Sequence, residues 1–185
     1  MKIGICAGID SLEKAASAGF DFLEPSVVSV AGMSDDVFSA ACTAVEKSSI
    51  RCEAFNVLFP GDIKVVGPAV DAKRIKDHLA SSFSRIAKLG ANVVVFGSGG
   101  ARKCPDGWDK EKAAAQFIDT ARMAGDEAGK YGITIAVEPL NTAETNIINT
   151  VAEGTDIVAR TAHPHVKLLA DWYHVRKENE PAAHI

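Results

Sequence analysis

The sequence predicts six βα units of a parallel (β/α)₈ barrel, and three observations carry that expectation. Short apolar runs recur along the chain with segments of helical period between them. Runs such as NVVVF at 92–96 and ITIAV at 133–137 are apolar on both faces, as parallel strands covered on both sides must be. Polar residues collect at the C-terminal ends of several strands, where barrels of this kind build their active sites.

Strands are expected over residues 2–6, 20–24, 51–55, 92–97, 133–138 and 166–171, each bounded by turn residues. Helix starts are marked by Asp10 with Glu13, by Ser34, Asp71 and Asp109, and by Thr150 with Glu153. Gly19, Gly90 and Gly132 supply the C-terminal stops before the next strand. A doubly wound sheet is the other architecture for such alternation. It would place a glycine-rich turn after the first strand, but the chain there reads CAGIDSLEK, without GxGxxG.

At 185 residues, 47% hydrophobic and 24% charged, the chain reads as one domain, 1–185, with enough apolar surface for a core. The opening MKIGICAG leads straight into Asp10 and Glu13, unlike a secretory signal, and no run approaches the roughly 20 apolar residues of a membrane span. A soluble, cytoplasmic protein without a membrane partner is expected. A net charge of −4 with scattered basic residues gives no footprint for nucleic acid, so a small-molecule substrate fits better. Cysteines 6, 42, 52 and 104 have no CxxC spacing and are assigned no chemistry.

The strand ends carry Glu24-Pro25, Asn56, Glu138-Pro139 and Asp171. Strand side chains alternate, so if Glu138 faces the barrel axis, Ala136 and Thr134 share its face and leave room for it. The same count places Asp171 inward with Leu169 and Lys167. Two carboxylates converging in an apolar cup repel unless a proton or cation sits between them, and an oxygen-rich site suits Mn²⁺ or Mg²⁺, with Zn²⁺ or Co²⁺ open if a histidine joins. The other reading makes both residues solvated acids that cap the following helices.

These residues carry a resemblance. IAVEPLNTAETNIINT at 135–150 and LLADWYH at 168–174 are similar to the fifth- and sixth-strand motifs of the xylose isomerase-like TIM barrels. FLEPSV, FNVLFPGD and VVFGSGGARKCPDGW resemble the second, third and fourth strand ends of its sugar phosphate isomerase/epimerase group, which includes the D-tagatose and D-psicose 3-epimerases. The resemblance implies that Glu138 is a metal ligand and an acid/base group, that Asp171 is a second ligand, and that Glu144 and His174 contact substrate oxygens. It implies a divalent metal, Mn²⁺ first, and a sugar or sugar phosphate substrate epimerised or isomerised by proton abstraction beside a ketose carbonyl. The group's remaining ligands, on strands seven and eight, would lie beyond Ile185. The chain is thus expected to be a fragment, or a short form completed by a partner, with strands one and six as open edges; homo-oligomer formation stays open. A non-catalytic fragment, a related lyase and an endonuclease acting at abasic sites are the alternatives. The endonuclease would need histidines on the early strands, and CAG, EPS, FNV and FGSG offer none.

Three further residues are candidates for substrate binding. Glu24 matches a strand-two acid near the substrate in this group, or is an acid bonded to backbone amides. Arg102 closes the glycine-rich loop at 97–102 and is the expected charge partner of a phosphate or carboxylate. Trp108 either walls the sugar site or packs as a staple before a helix. His163 and His165 flank Pro164 at the opposite end of the barrel and read as structural.

Overall fold

The computed structural model describes all 185 residues and arranges six parallel strands in sequence order along an open arc. β1 (Gly4–Cys6) pairs with β2 (Phe22–Glu24), and β3 (Ala54–Phe55), β4 (Val93–Phe96), β5 (Thr134–Val137) and β6 (Val166–Leu168) form a second ladder. Bridges from Phe22 to Arg51 and from Ser26 to Asn56 join β2 to β3. There Asn56 N–H donates to Pro25 O at 3.1 Å, and Val27 N–H to Asn56 O at 2.8 Å. β1 and β6 are the two outer strands and do not pair with each other.

Eight helices follow the strands: α1 (Leu12–Ser17), α2 (Val27–Ala31), α3 (Asp35–Lys47), α4 (Ala72–Ile86), α5 (Gly99–Arg102), α6 (Lys110–Gly129), α7 (Val151–Thr161) and α8 (Trp172–Lys177). The Ser34, Asp71, Asp109 and Thr150 side chains accept from first-turn N–H groups, so the local cap signals place α3, α4, α6 and α7 correctly. Asp10 does not cap α1. A 3-10 turn over Ile9–Ser11 takes up that segment and the helix starts two residues later. Gly90 and Gly132 end their segments in the left-handed region, at φ 98° and 70°.

Every strand is shorter than the apolar runs suggest. The clearest case is β6, which ends at Leu168 because Asp171 turns away to cap α8, although Leu169 N–H still reaches Val137 O at 2.9 Å. The predicted alternation holds on β5. Ile133, Ile135 and Val137 join one core cluster of 37 buried residues with Val94 and Phe96 of β4, whereas Val95 and Ala136 are buried on the other face and lie outside it. Between sheet and helices, Phe96 stacks on Phe117 at 4.5 Å and packs against Phe59 at 5.3 Å. Each buried aromatic of this kind stabilises the fold by roughly 1.5–3 kcal/mol through area removed from water. No helix is long and apolar enough to cross a membrane.

Candidate active site

The C-terminal ends of the strands surround two adjoining cavities of about 500 and 510 Å³, which share Asn56 and Glu138. Glu138 immediately follows β5 and its N–H donates to Phe96 O at 3.3 Å, so the carboxylate leaves the strand on a fixed backbone. It has room because Gly97 stands opposite: a Cβ there would lie 2.4 Å from Glu138 Oε2. The residue after β4 must therefore be small for the acid to stand where it does.

Asp171 faces the same space. Its Oδ1 accepts from Tyr173 N–H at 2.7 Å, and its Oδ2 lies 3.9 Å from His174 Nε2. The acid thus combines both readings of the sequence, as a helix cap through one oxygen and a site group through the other. Glu138, Asp171 and His174 each offer a ligand atom within 4.8 Å of the others.

His174 is buried at 7% exposure and is held by a residue that sequence reasoning missed. Asn141 donates to its Nδ1 twice, from the backbone N–H at 3.1 Å and from Nδ2 at 2.8 Å. Both partners are donors, which assigns Nδ1 as the acceptor and leaves the neutral ring's proton on Nε2, the nitrogen facing Asp171. Asn141 Nδ2 also donates to Glu144 Oε1 at 2.8 Å, tying the exposed Glu144 into the same network. Asn141 thus brings Glu144 and His174 together, with Oε1 and Nδ1 3.9 Å apart.

Burial, and then the charge of Asp171, push the Glu138 carboxyl up to about 7, with Glu24 and Glu144 adding to the push and Arg102 opposing it. Glu24 lines the second cavity half-buried, where it accepts from Asn56 Nδ2 at 3.2 Å through Oε1.

Two expected site residues do not line these cavities. Arg102 is fully buried behind Glu138, because its guanidinium is taken up by the carbonyls of Phe96, Glu138 and Ile148. It is not presented to a substrate anion. Burial lowers its pKa to about 10, which leaves it charged at neutral pH. Trp108 lines neither cavity and packs against the core cluster, as a staple would, with Lys112 Nζ 4.6 Å from its ring centroid.

Non-glycine residues in the left-handed region follow three strands: Val57 at φ 48°, Ser98 at φ 44° and Ile148 at φ 58°. Such strain persists where surrounding contacts over-determine the backbone. Here Ser98 Oγ accepts from Phe59 N–H at 3.0 Å, locking the loops after β3 and β4 together above the cavity.

The donor set suits a divalent cation. Two carboxylates close enough to repel, one of them half-buried with its pKa raised first by burial and then by that repulsion, are the arrangement a small hard dication neutralises. The tautomer of His174 makes that residue a hydrogen-bond donor through Nε2 rather than a third ligand.

A D-psicose 3-epimerase of Agrobacterium fabrum is 26% identical over 177 residues, covering 91% of this chain and 59% of the relative. An L-ribulose 3-epimerase of Mesorhizobium japonicum is 26% identical over 181 residues, covering 93% and 53%. The chain thus spans little more than half the length of these curated relatives. A crystal structure of a D-psicose 3-epimerase in the presence of D-fructose superposes with a TM-score of 0.85 at 22% identity, covering 98% of this chain and 67% of that one, and shows the shared fold. The sequence profile described as xylose isomerase-like TIM barrel matches residues 12–184. Six parallel strands in order, an acid cluster at their C-terminal ends and a profile match over nearly the whole chain agree: the chain belongs to the xylose isomerase-like TIM barrel family.

Proposed function

We propose that this chain carries the fifth- and sixth-strand machinery of a divalent-metal-dependent ketose epimerase or isomerase. The observation that carries the reading is the convergence of the Glu138 and Asp171 carboxylates at the strand-end cavities, with the His174 ring beside them and all three within 4.8 Å. Glu138 and Asp171 are the groups that hold the cation, Mn²⁺ first and Mg²⁺ next for a set dominated by carboxylates. When bound, such an ion polarises a carbonyl oxygen and stabilises negative charge developing on the sugar.

The chain's own residues supply the rest. Glu138, set beside the space where the sugar would lie, is placed to take a proton from the carbon beside a ketose carbonyl and to return it. His174 donates from Nε2 to a substrate oxygen, and Glu144 accepts from a hydroxyl while Asn141 holds both in place. Glu24 and Asn56 close the far wall with a carboxylate and an amide, groups that bond sugar hydroxyls. The two cavities are lined by Glu24, Glu138, Glu144 and Asp171 and by no lysine or arginine, so a neutral ketose is favoured over a sugar phosphate. The names of the relatives, D-psicose and L-ribulose 3-epimerases, support the same substrate class.

The experiment is deuterium exchange from D₂O into a panel of ketoses with and without Mn²⁺, followed by NMR. The reading expects metal-dependent exchange at one carbon next to the carbonyl, abolished in Glu138→Gln. Exchange that survives this substitution, or proceeds equally with the metal chelated, overturns it.

A further inference from the structure

Arg102 is the largest side chain fully buried in this chain, and its fork is bonded only to backbone. Nη1 donates to Glu138 O at 2.8 Å and to Phe96 O at 3.4 Å, Nη2 donates to Ile148 O at 3.2 Å, and Nε–H has no acceptor. Taking a guanidinium out of water without a directly paired carboxylate is expensive, and a buried unsatisfied N–H adds to the cost. An arginine spent only on tying carbonyls together points to a demand for those carbonyls to stay where they are.

The three acceptors define the demand. Phe96 is the last residue of β4, Glu138 follows β5, and Ile148 closes the loop that runs back to α7. Ile148 O also accepts from Leu140 N–H at 3.2 Å, and Asn149 Nδ2 donates to Leu140 O at 2.7 Å and to Thr145 O at 3.1 Å. The loop stapled in this way carries Asn141 and Glu144, and through Asn141 it holds His174. The charge of Arg102 is stabilised through space by Glu138, whose carbonyl it holds, and by Glu144, which lies on the loop it fastens.

We infer that Arg102 is a positioning residue for the candidate metal site: its buried fork clamps the ends of β4 and β5 and the 138–148 loop so that Glu138, Asn141 and Glu144 stand in register. The inference rests on the metal reading of Glu138 for its functional consequence, whereas the clamp itself does not. Lysine cannot replace the fork, since one ammonium on a flexible stem cannot span three carbonyls.

The test uses Arg102→Lys, with Arg102→Gln as the second variant should the first not fold. Amide hydrogen exchange of the metal-free protein reads the clamp, and Mn²⁺ affinity by electron paramagnetic resonance reads its consequence. Exchange is expected to speed up at Leu140 and Thr145 while the amides of α3 keep their protection. Mn²⁺ binding is expected to weaken by about 10–100-fold, the usual cost of losing a group that orients a ligand. Repeated in a Glu138→Gln background, the same substitution should change Mn²⁺ affinity by less than about twofold, because residues acting as one unit are not additive. Unchanged loop exchange, or loosening of loop and α3 alike, overturns the clamp. Equal affinity losses in both backgrounds overturn its action through Glu138. Faster loop exchange in a protein that takes up no Mn²⁺ in any form leaves the clamp standing and removes the metal reading instead.

Discussion

Asn141 and His174 are joined by two hydrogen bonds to one atom: the backbone N–H and the side-chain amide of Asn141 both point at His174 Nδ1, at 3.1 and 2.8 Å. The pair fixes the orientation of the ring and its tautomer, and so decides what His174 can do. With Nδ1 filled, the proton sits on the outward Nε2, which faces Asp171 and the cavity.

This pairing is testable without turnover. Long-range ¹⁵N–¹H spectra of the wild type are expected to show a neutral His174 with its proton on Nε2. In Asn141→Leu the backbone bond alone remains, and the ring signals are expected to broaden or split between tautomers. A wild-type spectrum with the proton on Nδ1 contradicts the assignment.

Asp171 caps α8 through Oδ1 and, on the proposed reading, holds the cation through its carboxylate charge; two substitutions separate these roles. Asp171→Asn retains an oxygen for Tyr173 N–H and is expected to leave stability nearly unchanged while weakening Mn²⁺ binding. Asp171→Ala loses both functions and is expected to cost a further 0.5–2 kcal/mol or so of stability from the lost helix cap. Thermal melts beside metal titrations of the two variants check the split.

Gly97→Ala addresses the room left for Glu138. The new methyl would lie 2.4 Å from Oε2, the free end of a side chain that can swing aside, so the fold should survive. The melting temperature is expected to stay within a few degrees of wild type. Mn²⁺ affinity should fall about as far as it does when Glu138 itself is replaced. Wild-type affinity in this variant would place the working position of Glu138 elsewhere.

The raised carboxyl of Glu138 also sets a pH dependence. Its ordinary value is 4.5 and its folded value about 7, so between these the folded, metal-free chain holds a proton that the unfolded chain has released. The stability contributed by this group is fully present below pH 4.5 and is lost as pH rises through 7. In chelator, the melting temperature of the wild type relative to Glu138→Gln should therefore decline from pH 5 to pH 8. A flat difference across that window contradicts the burial and charge environment described for the acid.

What the sequence disclosed was local or periodic. Caps such as Ser34 and Asp109 announce themselves within four residues, and the burial of Ile135 and Val137 follows from strand alternation. The convergence of Glu138 with Asp171 was legible because each sits where a strand ends and each was expected to face inward. The fate of Arg102 was not legible: whether a guanidinium faces solvent or three carbonyls depends on where the 138–148 loop returns, and no local pattern encodes that. Asn141 was hidden for the same reason, its partner lying 33 residues away. The early start of α8 did leave a signal. Asp171 precedes a run of helix-compatible residues, the pattern of the helix cap that the alternative reading gave it, while the apolar run carried β6 too far, to 171.

The most direct test is a Mn²⁺ titration of the wild type, Glu138→Gln and Asp171→Asn, followed by electron paramagnetic resonance. One saturable site in the wild type is expected, weakened in each variant by more than the roughly 10–100-fold that loss of an outer partner costs. Absence of a saturable site in the wild type, or equal affinity in all three proteins, would show that these carboxylates do not form the cation site.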